Sequence, residues 1–141
     1  AFICLALNTY HEAKNQSTVG QIATAQVVMN RVEDKRFPNT VCEVVKQGPT
    51  RPSWEDPNKE YPIKHRCQFS WYCDGKSDVP KNEKAWRKAQ DVAFLVLYNK
   101  IQLDVTEGAT HYHATYVKPA WAKTKKRTTR IEKHIFYRWE K

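Results

Sequence analysis

Glu12 is the residue whose type and position most favour acid–base chemistry in this chain. It lies near the end of a predicted amphipathic helix, opposite an apolar stripe made of Ile3, Ala6, Leu7 and Tyr10. The negative end of the helix dipole disfavours a carboxylate, and no Lys or Arg stands three or four positions away, so we expect a raised pKa. A carboxyl group that keeps its proton near neutral pH suits general acid catalysis. The alternative interpretation is a solvated surface glutamate.

Cysteines and histidines make a second candidate site. The four cysteines, which allow three disulfide pairings, are Cys4, Cys42, Cys67 and Cys73. His111 and His113 would place their rings on one side of a strand. Together with His65 and a cysteine they could form a zinc site. Zinc ligands usually come in tighter local pairs, so we favour a chain without a metal or other cofactor.

The charge of the chain indicates which classes of partner it could bind. The formal net charge is +9, and nine of the 24 lysines and arginines lie between Lys118 and Lys141. This distribution favours an anionic partner, which includes nucleic acid, anionic lipid and the acidic polymers of a bacterial envelope. The basic residues occupy a short segment and most aromatic residues lie elsewhere, so a nucleic-acid-binding module ranks last.

Four predicted helices position Glu12. The first ends at Ala13, and Ser17 or Thr18 caps a second, nearly all-apolar helix over Val19–Val32. Thr40 and Glu43 form a capping box before a short third helix that ends by Gln47. The fourth is amphipathic, runs from about Glu83 to Asn99, and has Asn82 as its N-cap.

The rest of the chain predicts a loop and a small sheet. Residues 49–65 contain four of the seven prolines and are interpreted as one long loop, a candidate lid or ligand wall. Residues 109–116 alternate as a strand does, and residues 128–131 and 134–139 predict a hairpin about Glu132-Lys133. We therefore expect one α+β domain over residues 1–141, with a helical core and a small antiparallel sheet towards the C-terminus.

The chemistry that fits these features is carbohydrate cleavage. Five tryptophans and seven tyrosines suit a polysaccharide groove, where aromatic faces pack on sugar C–H groups. The aromatic and polar cluster of residues 68–72 is a candidate part of such a groove, or else a strand with half its aromatic side chains in the core. The chain has no Gly-rich phosphate loop and no recognisable Ser-His-Asp or Cys-His signature.

Several blocks resemble, in order, the catalytic domain of spore-cortex-lytic-enzyme-type cell-wall hydrolases. They are Ala6-Leu-Asn-Thr-Tyr-His-Glu12-Ala13, the run from Gly20-Gln to Asn30-Arg31-Val32, Phe37-Pro-Asn-Thr-Val41, Gln68-Phe-Ser70, Gly108-Ala and His134-Ile-Phe136. The family is similar to lysozyme-like lytic transglycosylases. The resemblance implies a lysozyme-like domain that cleaves between N-acetylmuramic acid and N-acetylglucosamine in peptidoglycan, with Glu12 as general acid and base.

The resemblance also guides the choice of substrate-binding residues. Candidates for holding N-acetyl and hydroxyl groups are Gln68, Ser70, Tyr112 and His111, with Trp71 as a stacking platform. A lytic transglycosylase leaves 1,6-anhydromuramic ends. A hydrolytic muramidase is one alternative, and it would need a second carboxylate, for which Asp74, Asp78 and Glu55 are candidates. The other alternative is a zinc-dependent peptidoglycan amidase or peptidase, with His65, His111, His113 and a cysteine as ligands.

The chain departs from the family pattern in two places. Lys14-Asn15 replaces the usual Arg-Gly after the Glu-Ala pair, and Thr110-His-Tyr-His113 replaces a Phe-Tyr-Asn-like block. Without a separate wall-binding domain it resembles a compact phage endolysin or a wall-remodelling enzyme, and we expect a monomer. We expect no nucleic-acid partner, no transmembrane segment, and action on the wall in the periplasm or outside the cell, after release at lysis if phage-encoded.

Overall fold

The computed structural model of the chain describes residues 1–98 and 100–140. Four α-helices lie within the first hundred residues: α1 (Phe2–Ala13), α2 (Thr18–Glu33), α3 (Val41–Val45) and α4 (Glu83–Leu97). Five strands follow or interrupt them: β1 (Thr50–Pro52), β2 (Glu60–Pro62), β3 (His111–Ala114), β4 (Lys126–Ile131) and β5 (His134–Arg138). Two 3₁₀ turns lie at Ser70–Cys73 and Ala120–Thr124.

The helices begin where the capping residues predict. The hydroxyl of Ser17 accepts from the Gly20 N–H at 3.3 Å, and the side chain of Asn82 accepts from the Ala85 N–H at 3.0 Å. Thr40 accepts from the Glu43 N–H at 3.3 Å and donates its own hydroxyl proton to the Glu43 carboxylate at 2.7 Å. The predicted end of α4 at Asn99 lies outside the described residues, and the described helix ends at Leu97.

The main core lies between the four helices. Its fully buried members include Leu5 of α1, Val28 of α2, Val44 of α3 and Ala93 of α4. A disulfide between Cys4 and Cys42 ties α1 to α3 at the edge of this core. Burial of these apolar side chains is the main force that holds α1, and with it Glu12, in place.

The buried face of α1 is predicted correctly only in part: Ala6 and Tyr10 are buried as expected, but the buried face is wider than the predicted stripe. Leu5 and Asn8 are fully buried, whereas Ile3 is largely exposed. In the core, the amide oxygen of Asn8 accepts the indole N–H of Trp71 at 2.8 Å, and this bond favours the burial of a residue that a hydropathy pattern assigns to solvent. Glu12 therefore shares the buried side of the helix and is only partly exposed.

The C-terminal strands form an antiparallel sheet in the order β3-β5-β4. Tyr112 pairs with Phe136, and Ala114 pairs with His134. A small second core, made of Ala23, Val27, Ala109 and Phe136, packs this sheet against α2. The predicted hairpin about Glu132-Lys133 is confirmed, and so is the α+β class with a helical core and a small C-terminal sheet.

Two segments differ from their prediction. Residues 49–65, expected as one loop, contain a short antiparallel hairpin in which Arg51 pairs with Tyr61. The strand considered as the alternative for residues 68–72 does not form, and residues 70–73 make a 3₁₀ turn closed by the Cys67–Cys73 disulfide. The cross-link spans six positions, and such a tight loop favours a turn over an extended strand. No helix within the described residues is long and apolar enough to span a membrane.

Candidate active site

The candidate acid is held by a tyrosine from the far end of the chain. The hydroxyl of Tyr112, on β3, donates a hydrogen bond to the Oε1 atom of Glu12, at the end of α1. Burial and the adjacent carboxylate raise the pKa of Tyr112 well above its usual value. Tyr112 therefore stays a neutral phenol and serves as a hydrogen-bond donor to the acid.

The pKa of Glu12 is raised, as expected, but for a different reason. Burial is the largest cause, because it removes water from the ionised carboxylate. The Tyr112 hydrogen bond and the charges of Arg31 and His11 act in the opposite direction and lower the pKa. The cation that the sequence of α1 lacks is thus supplied by Arg31 of α2, a contact that helical spacing within α1 cannot reveal.

Arg31 joins α2 to the start of the strand that carries Tyr112. It is buried, and its Nε donates to the backbone oxygen of Thr110 at 2.7 Å. Its guanidinium lies 4.9 Å from the ring centroid of Phe37 and 5.2 Å from that of Phe69. These contacts fix a positive charge behind the Glu12–Tyr112 pair while covering it with aromatic faces.

The neighbouring Asn30 anchors the loop that leads into β3. Its amide donates to the backbone oxygen of Ala109 at 2.9 Å and to the carboxylate of Asp104 at 2.9 Å. Asp104 in turn accepts from the N–H of Thr106 at 2.8 Å and from that of Gly108 at 3.0 Å. Gly108 adopts a φ of 84°, a conformation that glycine reaches without a steric penalty. The loop before β3 and helix α2 thus hold Tyr112 in position to contact Glu12.

A groove of about 260 Å³ opens beside Glu12. Residues 11–16 form one wall, and Ala114, Tyr116, Lys133 and His134 form the other. Among the residues that the structure describes, Glu12 is the only carboxylate lining this groove. The groove can therefore present one proton donor, with the phenol of Tyr112 behind it, to a bound substrate.

Tyr116 is a groove residue that the sequence analysis missed. It lies just beyond β3 with 84 % of its surface exposed, beside the same groove as Glu12. Its ring is therefore open to contact with a ligand in the groove. The sequence pattern contains a hint, because the alternating segment that includes Tyr112 runs on to residue 116.

Trp71 does not have the position expected of a sugar-stacking platform. Only 7 % of its surface is exposed, and its indole N–H is satisfied by Asn8. One face of its ring stacks on His11 at a centroid distance of 4.6 Å. His11 also donates its Nε2 proton to the backbone oxygen of Asp78 at 2.9 Å. Trp71 thus supports a groove residue from behind.

The other predicted binding residues lie apart from the groove. His111 belongs to the opposite side of β3 from Tyr112, where its ring centroid lies 5.1 Å from that of Trp121 and 5.6 Å from that of Trp139. Burial and nearby cations lower its pKa to about 4. Gln68 and Ser70 have exposed side chains beside the buried Phe69, and neither lines the groove.

The structure does not assemble the zinc site considered above. All four cysteines are in disulfides, Cys4–Cys42 and Cys67–Cys73, so none offers a thiolate to pair with His65, His111 or His113. Over residues 1–98 and 100–140, no three His, Cys, Asp or Glu side chains come together as a metal-ligand group. The donor set of an amidase-type zinc centre is therefore not brought together here.

The fold is similar to that of two solved bacterial domains. One is the catalytic domain of the germination-specific lytic transglycosylase SleB from Bacillus anthracis, with 27 % identity and a TM-score of 0.66 over 97 % of this chain and 93 % of that one. The other is the catalytic domain of the Bacillus cereus SleB protein, with 26 % identity and a TM-score of 0.65 over 97 % and 88 % of the two chains. No curated protein sequence matches the chain.

The sequence of the chain also matches a protein family, described as Cell Wall Hydrolase, over residues 15–137. The matched range begins just after Glu12 and includes Arg31, Tyr112 and the whole C-terminal sheet. Both structural matches extend over nearly the full chain, so the resemblance inferred from short blocks of sequence is confirmed. The chain belongs to the Cell Wall Hydrolase family and is an enzyme that acts on the cell wall.

Proposed function

We propose that this enzyme cleaves the bond between N-acetylmuramic acid and N-acetylglucosamine in peptidoglycan, as a lytic transglycosylase. The observation that carries the proposal is Glu12, a carboxyl group with a raised pKa and the one carboxylate that the described residues place in the groove. The solved domain from Bacillus anthracis, a lytic transglycosylase, supports the same reaction class. One acid is sufficient for this reaction because the substrate itself supplies the nucleophile.

In this mechanism Glu12 first donates a proton and then accepts another. Protonated Glu12 donates its proton to the glycosidic oxygen as the bond to the anomeric carbon breaks, and the N-acetylglucosamine end leaves as an alcohol. The resulting carboxylate then removes the proton from the muramic acid 6-hydroxyl while that oxygen attacks the anomeric carbon. The product is a 1,6-anhydromuramic end, and Glu12 has regained its proton without a water molecule being consumed.

Tyr112 and Arg31 both stabilise the negative charge that Glu12 carries after it has donated its proton. The Tyr112 hydroxyl donates to the carboxylate, and such a bond is stronger when the acceptor is ionised. The buried charge of Arg31 also favours the ionised form. Burial opposes both effects, so the pKa of Glu12 remains above its ordinary value and the resting group keeps its proton more readily than an exposed glutamate.

Tyr116 is our candidate for the sugar-stacking role first assigned to Trp71. It lines the groove with a largely exposed ring, whereas Trp71 is buried. Sugar rings present apolar C–H faces that pack against aromatic rings.

The reaction takes place at the wall, in the periplasm or outside the cell, where two disulfides are stable.

Hydrolysis by a muramidase is the main alternative, and it requires a second carboxylate. That group would stand about 5 to 5.5 Å from the acid in a retaining enzyme and about 6.5 to 9.5 Å in an inverting one. The candidates Asp74, Asp78 and Glu55 do not line the groove.

The test is digestion of purified peptidoglycan with the native enzyme and with Glu12→Gln, followed by mass spectrometry of the soluble products. Anhydro-muropeptides from the native enzyme, and none from the variant, are expected. Glu33→Gln is a matched control, since Glu33 is exposed at the end of α2 and does not line the groove. Reducing muramic ends would show that the enzyme is a hydrolase and not a transglycosylase. Release of free peptides by a still-active Glu12→Gln variant would overturn the glycosidase assignment.

A further inference from the structure

Two lysines flank Glu12 from opposite walls of the groove. Lys14 follows the last residue of α1, and Lys133 lies in the turn between β4 and β5. Both are exposed, and both line the groove. Each wall thus carries one lysine, and Glu12, the one carboxylate that the described part of the chain places in the groove, has a raised pKa. Such a groove attracts an anion once Glu12 is protonated.

Neither lysine is committed to a carboxylate of the protein. The ion pairs within residues 1–98 and 100–140 involve Arg36, Arg87 and Arg138, none of which lines the groove. Lys14 has its ammonium 5.1 Å from the ring centroid of Tyr10, a contact that leaves its N–H donors available. Both ammonium groups can therefore pair with a ligand.

The acid nearest in sequence to Lys133 is used elsewhere. The carboxylate of Glu132 accepts from the backbone N–H of Ser17 at 3.0 Å and from the Ser17 hydroxyl. These bonds lower the pKa of Glu132 and tie it to the start of α2. Glu132 is thus a structural link between hairpin and helix, and it does not itself line the groove.

The backbone holds the two lysines on fixed supports. The N–H of Lys14 donates to the oxygen of Tyr10 at 3.1 Å, which continues the helical pattern beyond α1. The oxygen of Lys133 accepts from the N–H of Thr115 at 2.9 Å, which links the hairpin turn to the end of β3. The spacing between the two walls is therefore set by secondary structure, and only the side chains need to order around a ligand.

We infer that Lys14 and Lys133 bind a carboxylate carried by the muramic acid residue of the strand, and that the groove thereby discriminates acidic strands from amidated ones. The inference rests on the proposed function and specifies its substrate. Muramic acid residues can carry such a group in two ways. It belongs either to the attached stem peptide or, in a peptide-free residue, to the bare lactyl group. The chemistry recognised is the same, and the experiment separates the two sources.

The test measures binding in a Glu12→Gln background, so that no strand is consumed. Four soluble strand preparations are compared: peptide-bearing strands and strands stripped of peptide by an amidase, each with its carboxylates either free or converted to amides. We expect amidation to weaken binding about fivefold, the size expected from two partly exposed ion pairs. Tighter binding of peptide-bearing strands identifies the stem peptide as the source, and tighter binding of stripped strands identifies the lactyl group.

Two double variants test whether the groove lysines cause the preference for free carboxylates. Lys14→Gln/Lys133→Gln should bind free and amidated strands equally. Lys126→Gln/Arg127→Gln removes the same charge from exposed positions at the start of β4, far from the hairpin turn, and should keep the preference. The inference is overturned if amidation leaves the affinity of the Glu12→Gln enzyme unchanged for both peptide-bearing and stripped strands, if the groove variant keeps its preference, or if the β4 variant loses it equally.

Cleavage of the same strands by the native enzyme separates this inference from the proposed reaction. Anhydro products formed faster from acidic strands than from amidated strands would support both. A carboxylate preference in binding without any glycan cleavage would overturn the reaction and leave the lysine site in place. Cleavage at one rate on acidic and amidated strands would overturn the lysine site alone.

Discussion

The hydroxyl of Tyr112 donates to the carboxylate of Glu12, although the two residues are 100 positions apart in the chain. This bond favours the ionised carboxylate, so it lowers the pKa that burial raises. In Tyr112→Phe the pKa of Glu12 should rise further. A general acid must carry its proton, and activity is lost as the pH rises through its pKa. The alkaline limb of the kcat/KM profile should therefore move to higher pH.

The same variant should reduce kcat by roughly 10- to 100-fold, because a hydrogen bond to a charged group is lost from the cycle. Tyr137→Phe is the matched control. It also removes a tyrosine hydroxyl from the sheet, but that hydroxyl lies 2.9 Å from His113 Nε2, on the other side of the sheet from Tyr112. An alkaline limb that stays in place in Tyr112→Phe would contradict the assignment of Glu12 as the titrating acid.

Glu12 should cost the fold stability at neutral pH. A group with a raised folded-state pKa stabilises the fold at pH values below its unfolded pKa, and that stability is lost as the pH rises through the folded pKa. Glu12→Gln stays neutral at every pH, so it should be more stable than the native enzyme at pH 7 by roughly 0.5–2 kcal/mol. The difference in free energy of unfolding, measured with urea, should shrink as the pH is lowered towards 4. A less stable variant at pH 7 would show that ionised Glu12 supports the fold.

Arg31 should matter for stability as well as for electrostatics. Arg31→Ala leaves the Thr110 oxygen without its donor and empties the space between two aromatic rings. We expect the free energy of unfolding to fall by about 2–4 kcal/mol. Arg87→Ala removes an exposed arginine paired with Glu83 at 3.5 Å and should change it by less than about 0.5 kcal/mol. Equal losses in the two variants would mean that Arg31 is not the buried anchor described here.

The two disulfides should contribute unequally to stability. Cys4–Cys42 closes a sequence separation of 38 and Cys67–Cys73 closes one of 6. On loop-closure entropy, Cys4→Ala/Cys42→Ala should cost about 4 kcal/mol and Cys67→Ala/Cys73→Ala about 2 kcal/mol. Denaturant unfolding of the two double variants under oxidising conditions gives the comparison. A larger loss from the short loop would mean that its contacts with the core outweigh the entropy term.

Much of the scaffold follows from local chemistry. Ser17, Thr40 and Asn82 cap their helices, and Glu132-Lys133 turns the hairpin, because each of these depends on neighbours within a few positions. The 3₁₀ turn at Ser70–Cys73 does not follow in this way, since a disulfide and a buried tryptophan override the strand propensity of its residues.

The candidate site was predictable only in part. The type, position and raised pKa of Glu12 follow from the first helix, although the cause differs. The hydrogen bond from Tyr112, the charge of Arg31 and the exposure of Tyr116 depend on contacts between residues far apart in the chain. The buried position of Trp71 likewise depends on its bond to Asn8 in another helix. Helical and strand periodicities contain no information about such pairs.

The strand order β3-β5-β4 means that the last strand made is the one in the middle of the sheet. During synthesis, β3 has no antiparallel neighbour until residues 134–138 have emerged, so Tyr112 cannot be fixed above Glu12 before then. The candidate acid thus precedes its hydrogen-bond partner by 100 positions, and the contact between them cannot form until β5 has been made.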